Sequence, residues 1–491
     1  MLLSRLLEKI EYSGSFNDCE IEHITNSSFE ARERSVFVCI RGFATDGHVF
    51  APKAYEAGCR VFVCERRPER LPSDADVLLV PDSRRALALL SCALYGEPSR
   101  SLTVIGITGT KGKTTSALMI KHLLDCAGLP TGYIGSNGIR YGAHSFDSKN
   151  TTPESHILQY HLRKMADEGM RAAVIEVSSQ ALKLHRTLGT EFSITAFTNF
   201  SPDHIGQAEH PDLEDYFLSK KRLFDEYPCP LVIANADDPA TEKILADCRA
   251  KRILFSTHKN ADYTARGIGL CRSESILGTS FICTKADGSL PCSLSVPGEF
   301  NVHNALCAIA ITKALGLTDA QISSALSSMR IDGRFETITL PNGACFVIDY
   351  AHNGLSLKSV LQALRKYEPN RLICLFGSVG CRTRIRRAQM GEVASKYANF
   401  SILTSDNPDT ESPDQIIDDI ARQYDDPDSY IRIPDRREAI RYAAEKSERG
   451  DIILLAGKGH EKYQLINGKN TYFCEREILE DYINELMYST K

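Results

Sequence analysis

The stretch Leu102-Thr103-Val104-Ile105-Gly106-Ile107-Thr108-Gly109-Thr110-Lys111-Gly112-Lys113-Thr114-Thr115 decides the fold. Leu102–Ile107 reads as a near-continuous apolar strand, the kind buried on both faces of a parallel sheet. A glycine-rich turn follows, and Ser116–Ala127 reads as a helix. Strand, turn and helix N-terminus together make an anion site, because backbone N–H groups and the helix dipole converge there. The spacing predicts that Gly109, Thr110, Lys111, Gly112, Lys113, Thr114 and Thr115 surround the phosphates of a nucleotide. Lys113 would reach the outer phosphates, and the Thr114 hydroxyl would serve Mg2+. Ile107 stands where the common phosphate-loop pattern has its first glycine.

Working outward, the same alternation of apolar strands and helices recurs along the chain. Ser35–Ile40 and Arg60–Cys64 read as strands, with Val49–Ala57 as the helix between them. In the middle segment Ala172–Val177, Ile194–Asn199 and Leu231–Ala234 read as buried strands. In the last, Cys345–Asp349, Leu372–Phe376, Phe400–Thr404 and Asp451–Ala456 do the same. Strand-helix-strand units imply parallel sheets. Turn-rich joints at Gly96–Arg100 and near Ile331–Arg334 divide the chain into 1–98, 99–331 and 332–491. The expected class is α/β in three domains: an N-terminal α/β domain, a central phosphate-loop domain with a parallel sheet, and a C-terminal Rossmann-like domain. A length of 491 residues fits about three domains.

Composition narrows the function. Hydrophobic residues make up 43% and charged residues 25%, the balance of a globular protein. The net charge of −5 comes without a basic block, which argues against a nucleic-acid or membrane-surface partner and for a small-molecule substrate. The 16 cysteines are scattered without any Cys-x-x-Cys pair and read as reduced thiols of a cytoplasmic protein. Met1–Ile10 reads as an amphipathic helix start, with Arg5, Glu8 and Lys9 where a signal peptide has its apolar core. No run approaches the ~20 apolar residues that span a bilayer.

Ligands of such sheets sit at the carboxyl ends of strands, so polar clusters there carry the chemistry. Glu176, in Glu176-Val177-Ser178-Ser179, ends one strand and offers a carboxylate for a metal. Asp203-His204 follows another. Lys220 falls on the expected helix Leu213–Phe224, where composition alone reads it as solvated. Asn301 and Asn304 open a helix, Gly333-Arg334-Phe335-Glu336 marks the second joint, and Asp349-Tyr350-Ala351-His352 ends a strand. So do Ser405-Asp406-Asn407-Pro408-Asp409 and Gly457-Lys458-Gly459-His460-Glu461.

These motifs, in this order and over essentially the whole chain, resemble the Mur ligase family. They are most similar to the branch that adds the third residue of the peptidoglycan stem peptide. The resemblance implies an ATP- and Mg2+-dependent ligase. ATP would phosphorylate the D-Glu γ-carboxylate of UDP-N-acetylmuramoyl-L-Ala-D-Glu, and an incoming amine would displace the phosphate. It implies catalytic roles for Lys113, Lys220 and His204. Thr114 would hold one Mg2+. Glu176, His204 and Lys220 would hold a second, with Lys220 carbamylated and so made anionic. Asn301, Arg334 and Asp349 match nucleotide contacts. Asn150, Thr151, Thr152, Ser178 and Arg186 match muramyl-peptide contacts. Gly42–Gly47, with Ala44, Thr45 and Asp46, matches the uridine loop. Ser27 matches the serine of an Asp-Ser-Arg motif that reads Asn26-Ser27-Ser28 here, and Leu184 replaces a common Gln.

Arg382, Asp406, Asn407, Gly457 and Glu461 match the amino-acid pocket of diaminopimelate-adding members. Those members carry an Arg where this chain has Asp409, and an Asp there would repel a distal carboxylate and attract an ammonium. The expectation is therefore L-lysine or another diamino acid, with meso-diaminopimelate as the alternative through Arg384, Arg386 or Arg387. The resemblance further implies a monomer without stable membrane insertion. Two other readings are a folylpolyglutamate-type ligase, which would lack the uridine loop, and a catalytically inactive nucleotide-binding relative, which the changes at Asn26–Ser28 and Asp409 suggest.

Overall fold

A computed structural model describes residues 1–489 apart from 44, 203, 204, 207, 208, 273–276, 382 and 383. The chain forms two compact units: Met1–Thr264 with His303–Gln321, and Ala265–Val302 with Ile322–Lys491.

The first unit contains two sheets. In the smaller, β1 (His23–Thr25), β2 (Ser35–Val38), β3 (Val61–Cys64) and β4 (Asp76–Leu79) lie in chain order and run parallel. Val36, Val38, Val61 and Val63 face a core with Leu3, Leu6 and Leu87, while Phe37, Phe62 and Cys64 face a second core with Ala51 and Ala54. Burial on both faces explains why these strands read as unbroken apolar runs. The helix expected at Val49–Ala57 is a 3-10 turn, Gly47–Phe50, that runs into an α-helix, Ala51–Glu56.

The larger sheet of this unit holds β5 (Thr103–Thr108), β6 (Thr131–Gly135), β7 (Gly138–Tyr141), β8 (His144–Phe146), β9 (Ala172–Glu176), β10 (Ile194–Phe197), β11 (Leu231–Asn235) and β12 (Lys251–Ser256). Their order is β12-β11-β10-β5-β9-β6-β7-β8. The strands are parallel as far as β6, and β7 and β8 close the edge antiparallel. Chain order reverses on either side of β5, whose neighbours are β10 and β9. The glycine-rich turn after β5 thus lies at the switch point, where open α/β sheets bind ligands.

The second unit begins within β13 (Tyr263–Arg272). It continues through the antiparallel pair β14 (Leu277–Lys285) and β15 (Gly288–Leu294), where buried and exposed residues alternate along β15. These strands were not expected, nor were β1, β4, β6–β8 and β12; a strand that alternates buried and exposed residues, as β15 does, lacks the continuous apolar run used to find the others. The helix that Asn301 and Asn304 were expected to open is Glu299–Ala314, and a second helix, Asp319–Ser328, follows after Gly316, whose φ is +91°. The main sheet of this unit follows: β16 (Glu336–Thr339), β17 (Cys345–Asp349), β18 (Leu372–Phe376), β19 (Phe400–Leu403), β20 (Tyr430–Arg432) and β21 (Ile452–Ala456), in the order β16-β17-β21-β18-β19-β20. Only the β16–β17 pair is antiparallel. A hairpin, β22 (Tyr463–Ile466) and β23 (Lys469–Tyr472), comes last.

Arg436 fixes the loops at the carboxyl ends of β19 and β21. It is fully buried, donates to Ser405 O at 3.2 Å and Ala456 O at 2.8 Å, and pairs with the buried Glu475 at 2.8 Å. All 16 cysteines are free thiols, most of them buried. No helix among the described residues is long and apolar enough to cross a membrane.

Removing one partner of a buried ion pair strands the other charge. Arg436→Met is expected to cost about 3 kcal/mol of stability. Urea unfolding followed by far-ultraviolet circular dichroism checks this, and an unchanged midpoint would contradict it.

Candidate active site

The phosphate loop is held open by its neighbours. Gly112 caps the helix Lys113–Cys126 at a φ of +84°, and a Cβ there would fall 2.4 Å from Asn304 Oδ1. Asn304 Oδ1 also accepts from Ser116 Oγ at 3.3 Å. Lys111 O accepts from Thr198 Oγ1 at 2.7 Å and from Asn199 Nδ2 at 3.0 Å, while Lys111 N donates to Asn199 Oδ1 at 2.9 Å. Thr110 N donates to Asn199 O at 2.8 Å. Two ammonium groups converge on one carbonyl: Lys113 Nζ at 2.8 Å and Lys220 Nζ at 2.9 Å both donate to Gly109 O. Lys220 is buried on the helix Leu213–Asp225, with its Nζ 4.4 Å from the centre of the Tyr216 ring. The solvated reading of Lys220 is thereby corrected, since its helix turns that face inward onto the loop. The Lys113 ammonium and a helix N-terminus suit a polyphosphate.

Glu176 is the centre of this side of the molecule. It is fully buried at the end of β9. Its Oε2 accepts from Thr114 Oγ1 at 2.9 Å, and its Oε1 accepts from Tyr133 OH at 2.5 Å and Ser136 N at 3.0 Å. Ser136 Oγ lies 3.4 Å from Oε2 and 3.0 Å from Thr151 Oγ1. A Cβ on Gly135 would fall 2.2 Å from Glu176 Oε1, so only glycine lets β6 approach the carboxylate. Thr114 and Glu176 together offer the hard oxygens that Mg2+ takes, and the donor set fits that ion.

Next along the chain of bonds, Thr152 Oγ1 donates to Glu176 O at 2.7 Å and accepts from Ser178 N at 3.0 Å. Arg186, buried, donates to Thr152 O at 3.2 Å and to Glu154 Oε1 at 3.0 Å. The expected muramyl-peptide residues Thr151, Thr152, Ser178 and Arg186 therefore form one cluster with the phosphate loop. Asn150 belongs to the turn before them, its carbonyl accepting from Ser148 Oγ at 2.6 Å.

In the smaller sheet, Ser27 N donates to Thr25 Oγ1 at 3.0 Å, and Thr45 O accepts from Gly42 N at 2.9 Å. The Asp46 carboxylate accepts from His48 N at 3.0 Å and Arg66 Nη2 at 2.7 Å, contacts that hold its pKa well below the ordinary range. Ala44, His204 and Arg382 lie outside the described residues. Among the described residues no group of three or more His, Cys, Asp or Glu side chains forms a metal site.

The second unit gathers the remaining expected residues. Asn301 Nδ2 donates to Pro297 O at 2.7 Å. Arg334 lies over the Tyr350 ring at 4.8 Å. Asp349 accepts from Phe335 N at 3.0 Å, and burial pushes its pKa up to about 6 against the opposing field of Arg334. Asp406 is buried, and Gly457, at a φ of +113°, leaves room for its Oδ2, which a Cβ would approach to 2.6 Å. Glu461 Oε1 accepts from Tyr350 OH at 3.2 Å, and Oε2 accepts from Asn407 Nδ2 at 3.1 Å.

Asp409 is differently engaged. Its φ is +52°, its Oδ1 accepts from Gly468 N at 2.8 Å, and its backbone bonds Leu465 O and Asn467 N. The carboxylate thus closes the β22–β23 turn. Arg387 is committed to Glu411 at 2.6 Å and Asp419 at 3.0 Å, and Arg384 is exposed beside Asp419. Arg386 is half-buried, and its field adds to the burial that lowers the pKa of His352.

Sequence reasoning missed Tyr133, Ser136 and Lys458 as parts of the site. The turn Gly135-Ser136-Asn137-Gly138 after an apolar strand was the available signal for Ser136. Lys458 stood inside a motif already singled out.

Three family descriptions match the chain in succession: "Mur ligase family, catalytic domain" at 20–95, "Mur ligase middle domain" at 107–312 and "Mur ligase, glutamate ligase domain" at 333–459. A curated relative from Clostridium botulinum, named UDP-N-acetylmuramoyl-L-alanyl-D-glutamate--2,6-diaminopimelate ligase, is 39% identical, with 99% of this chain and 100% of that protein covered. A ligase of the same name from Bacillus velezensis is 38% identical, with 99% of each covered. A solved structure described by that ligase name superimposes with a TM-score of 0.68 at 29% identity, covering 95% of both chains. Folylpolyglutamate synthase from Mycobacterium tuberculosis shares the fold at 17% identity and a TM-score of 0.61, over 76% of this chain and 91% of that one. The relatives' names carry diaminopimelate where the sequence reading had put L-lysine first. Asp409, whose carboxylate was expected to meet an ammonium, accepts from Gly468 N at 2.8 Å.

Gly135→Ala is expected to push Glu176 aside and lower kcat about a hundredfold, the usual cost of displacing a reacting group by about 1 Å. Steady-state phosphate release checks this, with an unchanged thermal midpoint as the control for folding.

Proposed function

Since the chain belongs to the Mur ligase family and is an ATP-dependent ligase, we propose that it joins meso-diaminopimelate to UDP-N-acetylmuramoyl-L-alanyl-D-glutamate. The relatives' names supply the amino acid, and the observation that carries the transfer step is the unbroken chain of contacts Thr114–Glu176–Ser136–Thr151. It sets the expected nucleotide and muramyl-peptide residues side by side, as transfer between ATP and a substrate carboxylate requires. Residues 1–98 bind the uridine end in this reading, 99–331 the ATP, and 332–491 the amino acid.

A free carboxylate is a poor electrophile. One of its oxygens forms a bond to the γ-phosphorus, the bond from that phosphorus to the bridging oxygen breaks, and ADP leaves with the electron pair. The amine nitrogen then attacks the carbonyl carbon of the acyl phosphate, loses a proton, and phosphate departs. Lys113 steadies charge on the transferring group, with the helix N-terminus behind it. Arg186 and Thr152 orient the peptide. Thr114 and Glu176 hold Mg2+, which screens the phosphate charge when bound. Lys220, as its carbamate, would present oxygen where an ammonium cannot ligate a metal. Asn301, Arg334 and Asp349 take the nucleotide.

Support for diaminopimelate over L-lysine comes from the relatives' names. Arg382 is an expected pocket residue, and the half-buried Arg386 is the candidate for the substitute carboxylate clamp, since Arg387 is committed to Glu411 and Asp419.

Phosphate release with ATP, Mg2+ and the UDP-dipeptide is expected with meso-diaminopimelate and at most weakly with L-lysine or L-ornithine. Dominant turnover with L-lysine would reverse the assignment, and silence with all three in a protein that binds ATP would favour an inactive relative. Lys220→Ala is expected to lose turnover and to regain part of it with added short carboxylates. Full activity of that variant would remove the carbamate role.

A further inference from the structure

Lys458 follows β21 in Gly457-Lys458-Gly459-His460-Glu461, and its side chain is 0% exposed. An ammonium held out of water is expensive unless its protons are taken up and its charge met. Here Nζ donates to Asn407 Oδ1 at 2.8 Å and to Glu461 Oε2 at 2.8 Å. It stands 3.8 Å from Asp406 Oδ1 and 5.0 Å from the centre of the Tyr463 ring. The three polar partners are the side chains expected to line the amino-acid pocket.

The contacts set the orientation of both Asn407 and Glu461. Asn407 Oδ1 accepts from Lys458 Nζ and, at 3.0 Å, from Leu465 N. With the oxygen end occupied twice, the amide must turn its Nδ2 toward Glu461, 3.1 Å away. Glu461 Oε2 then takes two N–H donors, while Oε1, bonded to Tyr350 OH at 3.2 Å, keeps acceptor capacity. One ammonium against the carboxylates of Asp406 and Glu461 leaves a single negative charge. That balance suits the ammonium of an incoming zwitterion.

We propose that Lys458 is a positioning residue for amino-acid selection: by holding Glu461 and Asn407 in one orientation, it makes the pocket read the ammonium of the incoming diamino acid. The inference rests on the ligase reading above. Lys458 acts through its neighbours and touches no reacting atom. Without it the pocket would carry one more negative charge and the Asn407 amide would be free to turn.

The test uses the full chain with ATP, Mg2+ and the UDP-dipeptide, varying meso-diaminopimelate. Lys458→Met is expected to raise the KM for meso-diaminopimelate about tenfold or more, as loss of a charged hydrogen-bond donor does, and to narrow the preference over L-lysine. The KM values for ATP and the UDP-dipeptide should stay put. An unchanged KM for the amino acid, or all three rising together, overturns the proposal. Should Lys458→Met fail to fold, Lys458→Met with Glu461→Gln removes the ammonium together with a carboxylate it pairs with. Because Lys458 acts through Glu461 and Asn407, its KM for the amino acid should then exceed that of Glu461→Gln alone by no more than Asn407→Ala adds to Glu461→Gln, and a larger loss overturns the proposal. If the wild-type protein turns over with meso-diaminopimelate and the variants behave otherwise, only the role of Lys458 falls. If the wild type turns over with no amino acid, the ligase reading falls and takes this proposal with it.

Discussion

A carboxylate sealed from water costs several kcal/mol unless donors replace its hydration. Glu176 meets that cost with Thr114, Tyr133 and the backbone and hydroxyl of Ser136. Each donor comes from a different part of the chain: the phosphate helix, β6, and the turn after it. The same residue's carbonyl receives Thr152. Four segments that would otherwise end as independent loops are thereby fixed to one another at the carboxyl edge of the sheet. The absence of a side chain at Gly135 is a condition of that arrangement.

Much of this was legible in the sequence. β5, β9, β17, β18 and β21 are apolar on both faces, and their runs are found within a residue or so of where the structure has them. The phosphate loop announces itself by local pattern, since its glycines and lysines are neighbours in the chain. Among the strands that escaped, β1, β8, β20 and β22–β23 are three or four residues long and β15 alternates buried with exposed residues, whereas β6 is buried throughout and was missed because two glycines and a threonine interrupt its apolar run. Glu176 was recognised by its position at a strand end, whereas Tyr133 and Ser136, some 40 residues away, could not be tied to it by spacing. Lys220 shows the limit on helices. Its neighbours Lys221 and Arg222 suggested a solvated face, yet the ~100° of helix rotation between adjacent residues puts Lys220 against Gly109 O.

Asp409 makes a similar point about chemistry. A residue's charge was read as a statement about substrate, but a short carboxylate is also among the few side chains that tolerate a positive φ and cap a turn. At this position the residue also serves the turn, its Oδ1 accepting from Gly468 N. Lys458 is the counterpart. Its charge is wholly internal, yet its partners are the groups that the resemblance assigns to the amino acid.

The bracing of the phosphate loop by Thr198 and Asn199 has an entropic side. Glycine-rich segments have many conformations to lose, and ordering one backbone residue costs roughly 1–2 kcal/mol. Bonds to both the N–H and the carbonyl of Lys111, and to the N–H of Thr110, settle that cost during folding. The free energy of nucleotide contact then goes into affinity and into the alignment of the transferring group, with little diverted to ordering the loop.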